Sequence, residues 1–413
     1  MSDVRPAVDR TIAGIPAREL AAFYGTPLFL IDLDVLDLEL DRFARACTPH
    51  GIALAYAGKA FLCAALAEHF AATPLRLDVC SLGELVTAES GGFPAGRMYF
   101  HGCGKSDAEL RAIVERRVAF DVIDNFEELE RLTALAAGGE PVDVMLRINT
   151  GIEAHTHAFV RTGGENTKFG FPRSELRAVL TRITELPMLR LIGLHAHIGS
   201  QIEEPAPFLA NLDELIAGAA EARALGLPVE ELICGGGIAV AEGFDDSHPL
   251  ELDALAAGLA SRAQPVGVRL SLEPGRALIA RAGTSLYRIM AVKTQGGRRF
   301  VIVDGGMADN PRPIIYGARH RPEVMAAGRA GPAAAATLVG RSCENDEMGD
   351  YALPLGLEAG DLLALRTTGA YTYSMASNYN RFGRPPVVFV RDGHHRMVIR
   401  GESAEDVAQR DVV

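Results

Sequence analysis

The stretch ALAYAGKAFLCAALAEHF at 53–70, followed by RLDVC at 76–80, decides the fold. A short apolar run ends at a lone lysine, Lys59, and a run with helical apolar spacing leads to the next apolar run. That is one strand, one turn and one helix, and the pattern then repeats. Strand candidates lie at 53–57, 76–80, 97–101, 119–123, 143–148, 190–198, 231–236 and 268–273. Helical candidates separate them near 61–71, 82–91, 106–116, 125–137, 173–186, 207–225 and 249–263. Such alternation argues a parallel sheet with helices outside it, and eight units fit a (β/α)8 TIM-type barrel better than an open doubly wound sheet.

Working outward, residues 16–24 read as a short helix, TPLFLID at 26–32 as a strand and 34–46 as a helix. Beyond Pro274 the candidate strands, at 284–294, 298–306, 335–342, 361–371 and 385–401, are joined by Gly-, Asn- and Pro-containing turns. Asp392-Gly393 between two apolar runs is a hairpin signal. The expected organisation is an α/β chain with a barrel over 34–274. Residues 275–413, with 1–33, make an all-β domain of sandwich or barrel-like form.

The chain has 413 residues, enough for one large and one smaller domain. A net charge of −12 argues against nucleic acid or an anionic membrane as the main partner. Six cysteines are scattered without CxxC or zinc spacing, which reads as reduced thiols and a cytoplasmic protein. No secretory leader and no membrane-spanning run is read in the sequence.

In a barrel of this kind the chemistry lies at the C-terminal ends of the strands. Those ends carry Lys59, Ser81 with Asp78 just before it, His101-Gly102, Arg147-Ile148-Asn149, the run His195 to Ser200, Gly235-Gly236-Gly237, and Glu273-Pro274-Gly275-Arg276. A desolvated lysine amine is a nucleophile and Schiff-base former, although most lysines simply reach solvent. The triple glycine lacks both dinucleotide and P-loop spacing, but its amides can form an anion nest after strand seven, helped by Ser200 and Arg276. His195 and His197, two apart on a strand, share a face; they suit either a metal pair, as in barrel hydrolases, or a ring packed on a flat cofactor. Glu273 could simply pair with Arg276. Beside a lysine and a phosphate nest, it could instead hold a pyridine nitrogen protonated. Lysine, nest, ring stacker and carboxylate together point to pyridoxal phosphate.

The stretches GTPLFLID, YAGKA, LDVCSLGEL, FHGCGKS, RINTGIEAHTH, TKFGF, GLHAHIGSQI, CGGGI, EPGR, VDGGM, RPIIY, CEN, GDLLALRTTGAY and SMASNYN resemble the diaminopimelate decarboxylase family. That family falls within the alanine-racemase-like, fold type III pyridoxal-phosphate enzymes, and the resemblance runs from about residue 23 to 406. It implies a barrel with a C-terminal β-domain. It also implies that Lys59 bonds the cofactor, His197 stacks on the ring and Glu273 faces the pyridine nitrogen. Gly235, Gly236, Gly237, Ser200, Arg276 and Tyr371 would hold the phosphate side. The implied assembly is a homodimer in which Cys343 and Glu344 enter the partner's site. The substrate is an amino acid, with no metal, nucleic acid or membrane. The implied reaction, the last step of lysine biosynthesis, converts meso-2,6-diaminopimelate to L-lysine and carbon dioxide.

That substrate has two amino-acid ends, so the distal one needs its own partners. Arg276 and Arg312 suit its carboxylate, Glu344 its ammonium, and Tyr316 and Tyr371 added hydrogen bonds. Cys343 is the candidate acid that protonates the α-carbon. Three departures from the family pattern stand out. Gly58 replaces the usual valine and is expected to loosen the backing of Lys59. Gly340-Arg341 precede Cys343 in place of a small residue, and Asn345-Asp346-Glu347 follow where Ser-Gly-Asp is usual. The rival readings are decarboxylation of a D-amino acid, ornithine, lysine or a carboxylated polyamine, a metal-dependent barrel hydrolase, and an inactive regulatory relative.

Overall fold

The structure, a computed structural model, describes residues 10–152, 167–241, 250–325 and 331–412. The end of the RINTGIEAHTH stretch, 153–157, lies outside the described residues. The chain divides into two compact units, one of residues 40–240 and 247–278, the other of 1–39, 241–246 and 279–413.

The first unit is the eight-stranded parallel barrel. Its strands are Ile52–Ala57, Arg76–Val79, Met98–Phe100, Phe120–Ile123, Val142–Asn149, Leu189–His195, Glu231–Ile233 and Arg269–Leu272. Each pairs in parallel with the next, and the last closes onto the first with Leu270 opposite Ile52. Every predicted strand and helix of this region is present, with ends shifted by a few residues. The strands are short apolar runs because both faces are covered. Ala55, Tyr99, Phe120, Val122, Met145, Ile192 and Ile233, from six strands, form one buried cluster.

Helix caps set where the strand ends point. Ser81 accepts from the Glu84 amide at 3.1 Å, Ser106 forms a reciprocal capping box with Glu109, and Asn125 accepts from the Glu128 amide at 2.9 Å. Each cap starts a helix within a few residues of a strand, so the strand-end side chains sit on short, fixed turns. At the opposite ends of the strands the polar groups satisfy one another. Arg76 pairs with Glu231 at 2.5 Å and donates to the Tyr99 hydroxyl, while Ser271 donates to Glu231.

Lys105, in the FHGCGKS stretch, is fully buried. Its ammonium lies 2.9 Å from Asp121, pairs with Glu128 and donates to the Val122 carbonyl at 2.8 Å. This cluster ties the loop after the third strand to the fourth strand and the helix Phe126–Ala136. Burial first, and then the charge of Asp121, push the Glu128 carboxyl well above the usual carboxylate range. Removing the lysine would leave two carboxylates buried without a counter-charge. Lys105→Met is expected to cost about 3–5 kcal/mol, read as a fall in the denaturant midpoint.

The second unit is mostly sheet. Its main path runs Glu347–Pro354, Ala333–Val339, Arg298–Val303, Gly283–Gln295, Leu28–Asp32, Val387–Arg391, His394–Ile399, with Leu362–Arg366 and Arg321–Val324 attached through Gly283–Gln295. The TPLFLID segment joins this sheet, antiparallel to Gly283–Gln295 and parallel to Val387–Arg391. Asp392-Gly393 forms the expected two-residue hairpin, with both residues at positive φ. Two strands, Arg321–Val324 and Glu347–Pro354, were not expected from the sequence.

Candidate active site

The barrel's strand ends converge on Glu273, which follows the last strand and is buried. Its main-chain amide donates to the Gly235 carbonyl at 2.8 Å, which fixes it beside the triple-glycine loop. One carboxylate oxygen lies 3.1 Å from His101 Nε2 and the other 3.0 Å from His195 Nε2. Burial pushes His195 down to about 4, so it is neutral and its Nε2–H donates to the carboxylate. Burial alone would raise Glu273, but the two imidazoles outweigh it and hold the carboxyl well below the usual carboxylate range. The result is a fixed, buried negative charge.

A chain of polar groups leads from Glu273 to Lys59. His101 Nε2 lies 3.7 Å from Asp78 Oδ1, and the other Asp78 oxygen lies 3.9 Å from Lys59 Nζ. Burial raises Asp78, while His101 and Lys59 pull it down. Asp78 Oδ2 has no hydrogen-bond partner among the described residues. Lys59 sits on a single 3-10 turn, Gly58–Ala60, directly after the first strand, with its side chain 44% exposed. The sequence contains only four lysines. Lys105 is locked in the buried ion cluster, Lys168 is exposed with its ammonium over Phe169, and Lys293 is exposed on the sheet of the other unit. Lys59 is the one at a barrel strand's C-terminal end.

The expectation that Gly58 loosens this lysine is corrected. Gly58 is buried, and a Cβ there would lie 2.9 Å from the Asp78 carbonyl, so main chain takes the place of a side chain as backing. The expected shared face of His195 and His197 also changes. The strand ends at His195, and the two rings take different partners. His197 Nδ1 accepts from the Gly236 amide at 3.3 Å, which leaves the ring proton on Nε2. Removal from water, with Lys59 and Arg147 nearby, pushes its pKa well below the usual imidazole value. Glu273 is held by two imidazoles.

The glycine loop is closely built. A Cβ on Gly235 would fall 2.7 Å from the Ala196 carbonyl, one on Gly236 2.0 Å from the Glu273 carbonyl, and one on Gly237 2.0 Å from the Gly199 carbonyl. No side chain fits, and the loop therefore packs main chain against 196–200 and against Glu273. Ser200 is half-buried on the neighbouring turn, and Arg276 opens the short helix Arg276–Ile279 just beyond Glu273.

In the sheet-rich unit, Arg312 is buried at the head of the helix Arg312–Tyr316. Its guanidinium carbon lies 5.4 Å from the Tyr316 ring centre and 6.0 Å from that of Tyr371. Cys343 and Glu344 sit on a separate turn, and both are exposed. The Cys343 amide donates to Asn380 Oδ1 at 2.9 Å, and the Tyr379 hydroxyl donates to the Glu344 carboxylate. His101, Asp78, Tyr379 and Asn380 have contacts that sequence reasoning had not assigned. The strand-end position of His101 and the SMASNYN stretch were the signals available.

His101, His195 and Glu273 also offer ligand atoms within 4.8 Å of one another, a spacing a metal ion could use. The sequence itself separates these uses. It matches the pyridoxal-dependent decarboxylases, through their pyridoxal-binding domain, over residues 36–280. It is 44% identical over 414 residues to a diaminopimelate decarboxylase of Actinosynnema pretiosum subsp. auranticum, covering 97% of this chain and 92% of the relative.

The chain belongs to the diaminopimelate decarboxylase family.

A second member, from Bacillus subtilis (strain 168), is 39% identical over 418 residues, covering 97% of this chain and 94% of the relative. Among solved structures, the diaminopimelate decarboxylase of Helicobacter pylori complexed with L-lysine superposes with a TM-score of 0.89. The two are 29% identical, covering 95% of this chain and 98% of that one. Pyridoxal phosphate is the cofactor of the family, and the barrel residues fit it. They offer an amine for its aldehyde, a buried anion for its ring nitrogen, a flat neutral imidazole, and a loop of main-chain amides where no side chain could stand. The buried Asp78 oxygen without a partner adds an acceptor beside Lys59. No helix among the described residues is long and apolar enough to cross a membrane.

Proposed function

We propose that this chain decarboxylates meso-diaminopimelate to L-lysine and carbon dioxide with pyridoxal 5'-phosphate. The observation that carries the reading is Glu273, a buried carboxylate kept ionised by two imidazoles at the same barrel mouth as Lys59. Pyridoxal phosphate, when bound, supplies the electron sink for the pair left on an α-carbon as carbon dioxide departs. Lys59 would bond its aldehyde carbon, His197 would lie against its ring and Glu273 would keep the ring nitrogen protonated. The amides of Gly235, Gly236 and Gly237, with Ser200, Arg276 and Tyr371, hold its phosphate.

Arg312 gives the substrate's distal carboxylate a two-pronged partner, with Arg276, Tyr316 and Tyr371 in support. Glu344 takes the distal ammonium. Cys343 delivers the proton from its thiol to the α-carbon. Both are exposed in this chain, which supports a homodimer in which each subunit lends them to its partner's site. Six free cysteines support a cytoplasmic protein.

Carbon dioxide release from meso-diaminopimelate, lysine, ornithine and arginine tests the reading. Diaminopimelate is expected to exceed the others by about 10⁴-fold in kcat/KM, because lysine and ornithine lack the distal carboxylate that the arginine is there to hold. A preference for lysine or ornithine would show that Arg312 does not select the substrate. A colourless protein with stoichiometric zinc would place the chemistry in the hydrolase class instead.

A further inference from the structure

The turn that carries Cys343 and Glu344 reads GRSCEND over 340–346. Asp346 has a specific place in it. It stands at φ +44°, a conformation that suits glycine and that aspartate tolerates better than most residues. Its side chain is buried. One carboxylate oxygen accepts from the Met307 amide at 2.7 Å and the other from the Ser342 amide at 3.3 Å. The main chain closes the same turn, with the Gly340 amide donating to the Asp346 carbonyl at 2.9 Å and the Arg341 amide to the Gly305 carbonyl at 3.1 Å.

Two glycines make room for that carboxylate. A Cβ on Gly340 would lie 2.2 Å from Asp346 Oδ2, and one on Gly306 would lie 2.3 Å from it. Gly340 thus leaves the space that the Asp346 carboxylate fills.

We propose that Asp346 is a positioning residue that latches the 340–346 turn onto the 305–307 loop and so sets where Cys343 and Glu344 stand. At its tip the Cys343 amide donates to Asn380 Oδ1 and the Glu344 carboxylate accepts from the Tyr379 hydroxyl. Its base is closed by Asp346. Glycine at 346 would leave two amides without an acceptor and a void where the carboxylate was. Asparagine would keep the size but turn an N–H donor toward one of those amides. The inference rests on the reading that Cys343 and Glu344 serve the decarboxylation.

The test compares Asp346→Gly and Asp346→Asn, each reconstituted with pyridoxal phosphate. Asp346→Gly and Asp346→Asn are expected to lower kcat for meso-diaminopimelate by about ten- to a hundredfold, since small displacements of reacting groups have effects of that size. Cofactor absorption and the unfolding midpoint should stay near wild type, while hydrogen exchange at 340–346 quickens. The proposal is overturned if both Asp346 variants keep wild-type kcat and KM. It is also overturned if activity falls only in step with cofactor loss or global unfolding. A wild-type protein inactive on diaminopimelate would defeat the functional reading alone. The latch would then stand or fall on the exchange rates of the turn.

Discussion

Lys59→Ala is expected to abolish decarboxylation, with kcat falling by about 10³-fold or more, and to remove the visible absorption of the lysine-bound cofactor. The other three lysines give no substitute. Lys105 is held by Asp121 and Glu128 in the barrel wall, Lys168 lies over Phe169, and Lys293 belongs to the other unit. The substitution should leave the fold intact. The lysine is 44% exposed, its contact with Asp78 is a loose 3.9 Å, and the main chain of Asp78 backs the turn at Gly58. An unchanged unfolding midpoint with lost activity and lost absorption would place the effect in the chemistry. Retained activity would show that another residue bonds the cofactor.

The second large effect is expected at Glu273. Glu273→Gln should lower kcat by about 10²–10³-fold while the cofactor remains bonded to Lys59, because what is lost is a charge that steadies the developing electron pair. The amide can be accommodated. His195 Nδ1 has no hydrogen-bond partner among the described residues, so its ring can move the proton there and let Nε2 accept from the new amide nitrogen. The two imidazoles hold Glu273 well below the usual carboxylate range, so its charge persists as pH falls through that range. An acid limb in the kcat profile of the wild type must therefore come from another group. A Glu273→Gln enzyme with wild-type kcat would show that the carboxylate does not face the cofactor ring.

Much of this was legible in the sequence because the barrel is built of local units. Each strand is an apolar run, each helix has a 3.6-residue pattern, and the caps at Ser81, Ser106 and Asn125 punctuate them. The strand Glu347–Pro354 was not legible. Its buried residues, Met348, Tyr351 and Leu353, break the two-residue alternation where Gly349 stands at φ +135°. The register against Ala333–Val339 shifts between Leu338 and Val339, which resets the alternation. Arg321–Val324 is half-buried on both faces and contains a proline, so it carries little strand signal.

The site divides in the same way. That polar residues crowd the strand ends could be read directly. That Glu273 takes His101 and His195 could not, because those partners lie 172 and 78 residues away and meet only when the barrel closes. Gly58 was misjudged for a related reason. The group behind Lys59 is the main chain of the neighbouring strand, which no pattern around residue 58 records. The fit of Asp346 against Gly340 could not be read, because it needed the turn's geometry.

The most direct measurement is to reduce the purified pyridoxal-phosphate form with borohydride, digest it and locate the added pyridoxyl mass. With only four lysines in the chain, the assignment is unambiguous. The label is expected on the peptide that contains Lys59. A label on Lys105, Lys168 or Lys293, or on none of them, would contradict the placement of the cofactor at the end of the first barrel strand.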